Sequence, residues 1–592
     1  MDNQRNLIMA VLLTILVIFG WESAMRYFYP EAQRAPVAEQ SASAAADPAR
    51  SDKPTPEGGL TNPADIALEA RDLATALNPA GRVSIAAPGL SGSISLTGAL
   101  LDDLVTNRHT ANSDRNSGPA RIFSPVGTPA QHYAQFGWTA DAAAGAGVGL
   151  PNARTVWTAP AGARLTPGTP VTLTWNNGAG QTFAIEFGID SDYLVTAKQT
   201  VANAGAAPVR LKPIIQLNRT DKTASVDTWT LHTGPFGAFD GAVSFGPDYD
   251  DLLAAGTMQN TGKPTWLGFT DIYWMSGLIP DSGVQGSDFR ALGRGVYLAN
   301  VFYPAEDIAP GQVRSHTTRV FAGAKESGVL DRYEDAGITN FGKSIDWGWF
   351  FWFEKPIFWL LMALFKAVDN FGVAIILLTA IVRGIMFPVA QRGFASMAAM
   401  RAVQPKMKAL QDRYKDDKPK LQEETMKLYR AEGVNPLAGC LPILLQIPVF
   451  FALYKVLTLA VEMRHQPFVL WIKDLSAPDP LHFLNLFGLL PFTPPSFLGI
   501  GLLALLLGVT MWLQFKLNPA SPDPIQQQIF AVMPWLMMFV MAPFAAGLLI
   551  YWITSNVLTI AQQKYLYAKH PQLKAMVDKE RADVALASKR DT

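Results

Sequence analysis

The stretch FGVAIILLTAIVRGIMFPV, residues 371–389, decides the fold of this chain. It is apolar except for Thr379 and Arg383, and at about 1.5 Å per helical residue it nearly matches a hydrocarbon layer about 30 Å thick. A membrane span is expected. Working outward, further apolar runs occupy residues 437–460, 497–515 and 529–562. The last is too long for one ordinary span, and Ala542-Pro543 near its middle predicts a hairpin with two crossings. Upstream, Trp347-Gly348-Trp349-Phe350-Phe351-Trp352-Phe353 has the aromatic density of a membrane–water interface. After Pro356, residues 357–369 are apolar but carry Lys366 and Asp369, which fits a helix lying in that interface.

A further apolar run follows Arg5, from Leu7 to Trp21. Glu22, Met25, Arg26 and the cluster Tyr27, Phe28, Tyr29 stand where a signal peptidase needs small residues, so an uncleaved anchor is expected. Charge sets the orientation. The loop from Gln391 to Asn435 carries Arg392, Arg401, Lys406, Lys408, Arg413, Lys415, Lys418, Lys420, Lys427 and Arg430. The tail is also basic, through Lys564, Lys569, Lys574, Lys579, Arg581, Lys589 and Arg590. Both are cytoplasmic under the positive-inside rule only if the last run crosses twice, which makes six spans with both termini inside.

Between anchor and spans the chain changes character twice. Residues 30–64 are rich in Pro, Ala and Ser and read as a flexible linker. From Asp65 to Asp335 short strand-like runs alternate with turn signals, as in Val171 to Trp175 ahead of Asn176-Asn177-Gly178, Thr182 to Ile189, and Val209 to Leu217. An all-β sandwich is expected there. Its tryptophans (Trp138, Trp157, Trp175, Trp229, Trp266, Trp274) either line a sugar cleft or fill the core. A single cysteine, Cys440, excludes an intramolecular disulfide. Lys+Arg and Asp+Glu both number 49, so the electrostatic footprint of a nucleic-acid binder is missing. No P-loop, G-x-S-x-G elbow or helical metal-ligand spacing occurs, and neither a catalytic residue nor a metal or other cofactor is expected.

Arg383 is the informative residue. An arginine at mid-membrane costs about 3 kcal/mol on insertion scales, and the later apolar runs hold no Asp or Glu to neutralise it. With Thr379, Gln446, Gln514, Ser555, Asn556 and Thr559 it outlines a wet polar cavity whose anionic partner arrives from outside. The competing reading is an arginine snorkelling to the headgroups. In the basic loop, Met397, Met400 and Met407 recur at helical spacing, where they either meet apolar clients or pack the loop's two helices together.

Several of these segments, in this order, resemble the YidC insertase family. They are Ile381 to Met386, Gln404-Pro405-Lys406, Val434 to Cys440, Gln446 to Phe450, Trp471 to Ser476, and Ser555-Asn556. The resemblance runs almost continuously from Trp347 to about Lys569. It implies a five-span insertase core plus the anchor, with a groove open to cytoplasm and lipid and closed to the periplasm, and a periplasmic β-supersandwich. Arg383 takes the groove arginine's role. Thr379, Gln446, Tyr551, Ser555, Asn556 and Thr559 fall among groove or substrate-contact positions, and Trp552 stands in place of the second tyrosine of a pair found in many members. The implied function is insertion and folding of bacterial inner-membrane proteins without enzymatic chemistry. Implied partners are nascent membrane proteins, the Sec translocon, the ribosome and the lipid bilayer. The expected division is an anchor (1–29), linker (30–64), β domain (65–335), interfacial segment (336–370), second span (371–389), cytoplasmic helical hairpin (390–436), four further spans (437–562) and basic tail (563–592). Rival readings are a solute transporter, which would show internal repeats or acidic coupling residues within spans, and an envelope-glycan binding protein built on the β domain.

Overall fold

The computed structural model describes residues 58–113, 116–140, 148–225, 231–348, 351–414, 417–432, 441–487, 489–490, 499–517 and 524–569. The anchor, most of the linker, Trp229, Cys440 and the tail beyond residue 569 lie outside the described residues.

Period-two patterning builds the β domain. Strand Gln181–Ile189 alternates buried and less buried residues along its whole length, and His132–Ala140 does so over most of its own. Asn176-Asn177-Gly178 turns the chain between Val171–Asn176 and Gln181–Ile189, which pair antiparallel. Gly178 sits at φ 74°, and Asn177 Oδ1 accepts from the amides of Ala179 and Gln181 at 2.8 and 3.1 Å. The strands form an 11-stranded and an 8-stranded sheet. Val209–Thr220 lies central in the larger, between His132–Ala140 and Val296–Phe302. Val313–Ala324 lies in the smaller, between Trp274–Pro280 and Leu194–Asn203.

The sheets meet through aromatic side chains. Phe136 packs edge-on to Phe187 at 5.4 Å and Trp138 to Phe183 at 5.1 Å, each pair spanning both sheets. Trp138, Trp157 and Trp266 are buried in this core rather than lining a cleft.

The β domain begins with a helix, not a strand. Pro63–Ala76 (α1) contains Asp65, where strand-like runs were expected to start. Asn62 caps it by accepting from the Ala64 amide at 2.8 Å, and Pro63 opens it. The run of Ala, Leu, Glu and Arg that follows favours helix over strand. Two more helices belong here, Tyr249–Ala255 (α2) and Ser327–Asp335 (α3).

Helices continue through the rest of the chain. Phe351–Val368 (α4) starts ahead of Pro356 and carries it in its second turn, where the ring removes one hydrogen bond without ending the helix. The second span and the first arm of the expected hairpin are one uninterrupted helix, Phe371–Arg413 (α5), of 43 residues. Asp369 stays outside it at φ 51°, while Asn370 caps it through the Val373 amide at 3.1 Å. Pro388 and Pro405 each remove a single donor, and the Ala- and Met-rich stretch between them restores helix propensity. Lys418–Ala431 (α6) follows, capped by Asp417. Then come Leu441–Leu459 (α7), Leu502–Leu517 (α8), Pro524–Met541 (α9) and Ala546–Lys569 (α10). The break between α9 and α10 falls at Ala542-Pro543, where the hairpin was expected. Among the described residues, Phe371–Gly393 is the one helix long and apolar enough to cross a membrane; Gln446–Leu459, Leu502–Leu517 and Gln528–Met541 are shorter apolar helices.

A buried ion pair holds one end of the sandwich. Arg219 Nη2 donates to Asp271 Oδ2 at 2.5 Å with both side chains almost fully enclosed. Asp271 Oδ1 accepts from the Ser225 amide and hydroxyl at 2.9 and 3.1 Å. Truncating one partner strands the other charge in a low dielectric. Asp271→Ala is therefore expected to cost about 3–5 kcal/mol of β-domain stability, read as a lowered urea midpoint in tryptophan emission; a change under 1 kcal/mol would refute the assignment.

Candidate functional site

Helical periodicity brings the polar residues of four helices together. On α5, Thr379 and Arg383 are four apart and share a face. Arg383 lies about 18 Å along the helix from Phe371, past the midpoint of the apolar stretch. On α10, Tyr551, Ser555 and Thr559 form one row at four-residue spacing, with Trp552 and Asn556 beside it. The structure joins these faces. Arg383 Nε donates to Ser555 Oγ at 3.0 Å, and Nη2 donates to the same hydroxyl. Ser555 is buried and Arg383 half-buried. On α7, Gln446 Nε2 donates to the Tyr551 hydroxyl. Asn556 Nδ2 donates to Thr510 Oγ1 on α8 at 3.2 Å. Trp552 packs edge-on to Phe450 at 5.1 Å, an aromatic contact rather than a polar one.

Two of the expected positions are satisfied within their own helices. Thr379 donates to the Ile375 carbonyl at 2.6 Å, and Thr559 to that of Ser555 at 2.7 Å. Arg383 is different. A guanidinium carries five N–H donors, Ser555 takes two of them, and no carboxylate pairs with it among the described residues. Gln446 Oε1 and Gln514 Oε1 are also buried without a partner among the described residues.

Two contributors escaped the residue-by-residue reading. Thr510 anchors Asn556, and its signal was its place four residues before Gln514 in an otherwise apolar helix. Gln562 Nε2 reaches the Arg383 carbonyl at 3.5 Å. Met407 belongs to the packing of the basic loop. It is buried, and its sulfur accepts from the Thr425 hydroxyl of α6 at 3.6 Å. The side chains of Met397 and Met400 lie outside the described ones.

The helix ends nearest the β domain are fastened by one segment. Buried Asp479 accepts from the Leu503 amide at 2.7 Å, capping α8, and from the Leu481 amide and Trp471 Nε1 at 3.0 Å each. The carbonyls of Ala477 and Leu475 accept from the first amides of α10, Ala546 and Gly547, at 2.8 and 2.9 Å. Asn370 Nδ2 ties the start of α5 to the Phe468 carbonyl at 3.2 Å.

An apolar helical region with an arginine and amides in its interior, joined to a two-sheet β domain, defines an integral membrane protein with a large extramembrane domain. Residues 363–573 match the family described as 60Kd inner membrane protein, and residues 82–360 match the YidC periplasmic domain. The chain is 41% identical over 573 residues to the membrane protein insertase YidC of Zymomonas mobilis, covering 96% of each. It is 46% identical over 505 residues to that of Ruegeria sp., covering 81% of this chain and 82% of the relative. It is also similar, at 19% identity and a TM-score of 0.34, to a solved structure described as an active YidC insertase with its first transmembrane domain resolved, covering 81% of this chain and 92% of that one. The chain belongs to the YidC family, whose members are inner-membrane proteins with a periplasmic domain.

Asp479 makes the fastening testable. Asp479→Ala is expected to lower stability by about 1–3 kcal/mol through three lost hydrogen bonds of which α8 loses its cap, seen as a drop in Tm in detergent together with a shift in Trp471 emission. An unchanged Tm would show that the α8 start is held by other groups.

Proposed function

We propose that this chain inserts and folds inner-membrane proteins, accepting an apolar client segment along a hydrated groove bordered by α5, α7, α8 and α10. One observation carries the reading: Arg383 is held by a neutral hydroxyl, with donors to spare and no carboxylate partner among the described residues. Thr379, Gln446, Tyr551, Trp552, Ser555, Asn556 and Thr559 border the groove, and Met397 and Met400 meet apolar client segments below it. A client's acidic residue, carried into the groove, supplies the missing anion, and apolar flanks then pass to lipid. No covalent step is needed, so the chain acts as a chaperone and not as an enzyme.

The same reading sets the topology. Residues 1–29 anchor the chain and 30–64 tether a periplasmic β-supersandwich. Residues 336–370, α4 included, lie in the interface. Five core spans follow, one at the start of α5 and one each in α7, α8, α9 and α10. The far half of α5, with α6, projects into the cytoplasm toward the ribosome, both termini are cytoplasmic, and the Sec translocon is the partner for larger clients. The positive charge of residues 391–435 and of the tail supports this orientation.

Reconstitution in liposomes with a short single-span client tests the groove. At matched protein levels, Arg383→Ala should slow insertion of an acidic-tailed client by about tenfold or more, the worth of one charge-assisted hydrogen bond. Arg383→Lys should retain much of the activity, and a neutral-tailed client should depend less on residue 383. Wild-type rates for Arg383→Ala on the acidic client would end the capture mechanism in favour of snorkelling. Topology has its own check. In a chain lacking Cys440, a cysteine at Ser588 is expected to resist impermeant reagents in intact spheroplasts while one at Ala545 reacts; labelling of position 588 from outside would remove one crossing.

A further inference from the structure

α7 ends at Leu459, and the chain turns at once through Val461–Met463 to Arg464. Two side chains of this turn leave the helical region and enter the β domain. Glu462 Oε1 accepts from the backbone amide of Ser327 at 2.9 Å. Ser327 opens α3, a helix whose own N-cap residue, Glu326, makes no capping bond. The reason is visible: the Glu326 carboxylate is taken by Arg108 at 3.2 Å, by His109 at 2.9 Å and by the Tyr193 hydroxyl. The N-terminus of α3 is therefore satisfied by a carboxyl group from the turn after α7, whose Oε1 accepts whether or not the group is ionised.

Arg464 makes the second contact. It donates from Nη1 to the Thr110 carbonyl at 2.8 Å and from Nη2 to that of Ala111 at 2.9 Å, at the end of strand Leu100–Thr110. Its guanidinium lies over the rings of Trp274 and Tyr273 at 5.2 and 5.8 Å. One turn thus grips the β domain at a helix start and at a strand end.

The Glu462 carboxyl is only half engaged. Among the described residues its Oε2 is buried without a partner. The titratable groups facing it are Glu326, already engaged by Arg108 and His109, and Asp331, paired with Lys355 of α4 at 3.5 Å. Among the described residues no cation is paired with Glu462. Burial foremost, with help from those two carboxylates, lifts its pKa from an ordinary 4.5 to about 7.

We propose that Glu462 and Arg464 are positioning residues that latch the periplasmic domain onto the outer ends of the membrane helices, and that the latch holds a proton on Glu462 and loosens when that proton leaves. The proposal rests on the topology above only for which compartment supplies the proton. Its sign follows from linkage. The docked carboxyl binds its proton more tightly than an undocked one, so docking is strongest below the ordinary pKa. It then weakens by about tenfold per pH unit up to the raised pKa and is flat beyond it.

Hydrogen exchange of the full chain in detergent micelles reads the latch directly. After correction for intrinsic rates, protection of the first amides of α3 should fall about tenfold per pH unit from pH 5.5 to 7 and then level off. Glu462→Gln keeps the acceptor for Ser327 and cannot ionise, so its protection should stay high and flat across pH. Glu462→Ala should lose protection there tenfold or more at acidic pH, and Arg464→Ala, which frees the same turn, should lower it at the same amides. Strand Val209–Thr220, deep in the larger sheet, should stay protected in both, separating undocking from unfolding. If the wild type shows no pH dependence, or if Glu462→Gln keeps the wild-type profile, the proton link is wrong. Unchanged protection in both alanine variants overturns the latch. Should those variants fail to fold, the glutamine profile alone still decides.

Discussion

Inside a hydrocarbon layer a polar group without a partner costs several kcal/mol, and the helical region is arranged around that penalty. The threonines discharge it locally: Thr379, Thr458, Thr510 and Thr559 each donate to a carbonyl three or four residues back in their own helix. The longer side chains cannot do so and must pair across helices. Arg383 with Ser555 ties α5 to α10, Gln446 with Tyr551 ties α7 to α10, and Asn556 with Thr510 ties α10 to α8. Among the described residues α10 takes part in each of these cross-helix polar contacts, so a polar interior and a particular arrangement of helices arise from the same bonds.

The two ends of this arrangement are built differently. Toward the β domain the helix starts are capped and cross-tied, by Asp479 on α8, by the Leu475 and Ala477 carbonyls on α10, and by Asn370 reaching Phe468. Each of these bonds satisfies an amide or carbonyl that would otherwise need water. Deeper in, amide oxygens of Gln446 and Gln514 go unmet and Arg383 keeps unused donors.

Much of this was legible in the residues themselves. Strand-like composition marked Thr182 to Ile189 and Val209 to Leu217, Asn176-Asn177-Gly178 marked a turn, and Ala542-Pro543 marked the break between α9 and α10. Arg383 and Ser555 were singled out separately, because charge and hydroxyl are conspicuous in apolar runs. Their contact was not legible, since 172 residues separate them. Asp479, Glu462 and Arg464 passed unnoticed for a related reason: charged residues in short loops look solvated until the fold shows that a distant helix start or strand end has no other partner. The unbroken α5 and the helical α1 were missed where one local signal, a proline or a flanking strand pattern, outweighed the summed helix propensity of its neighbours.

The Ser555 hydroxyl bears on how a capture site empties. A fixed carboxylate beside Arg383 would neutralise it permanently, and a bare arginine would face the full desolvation penalty. Ser555 does neither: it occupies two donors through an uncharged acceptor and leaves the charge standing. Under the proposed capture, a client carboxylate arriving about 4 Å from the guanidinium gains about 4 kcal/mol at an effective dielectric near 20, before subtracting what its own lost hydration costs. The remainder is a few kcal/mol at most. That is enough to hold a client's acidic tail while its apolar segment finds lipid, and small against the burial of that segment, at about 25 cal/mol per Å² of apolar surface. Transfer of the apolar segment to lipid can therefore pull the charge pair apart without an external energy source.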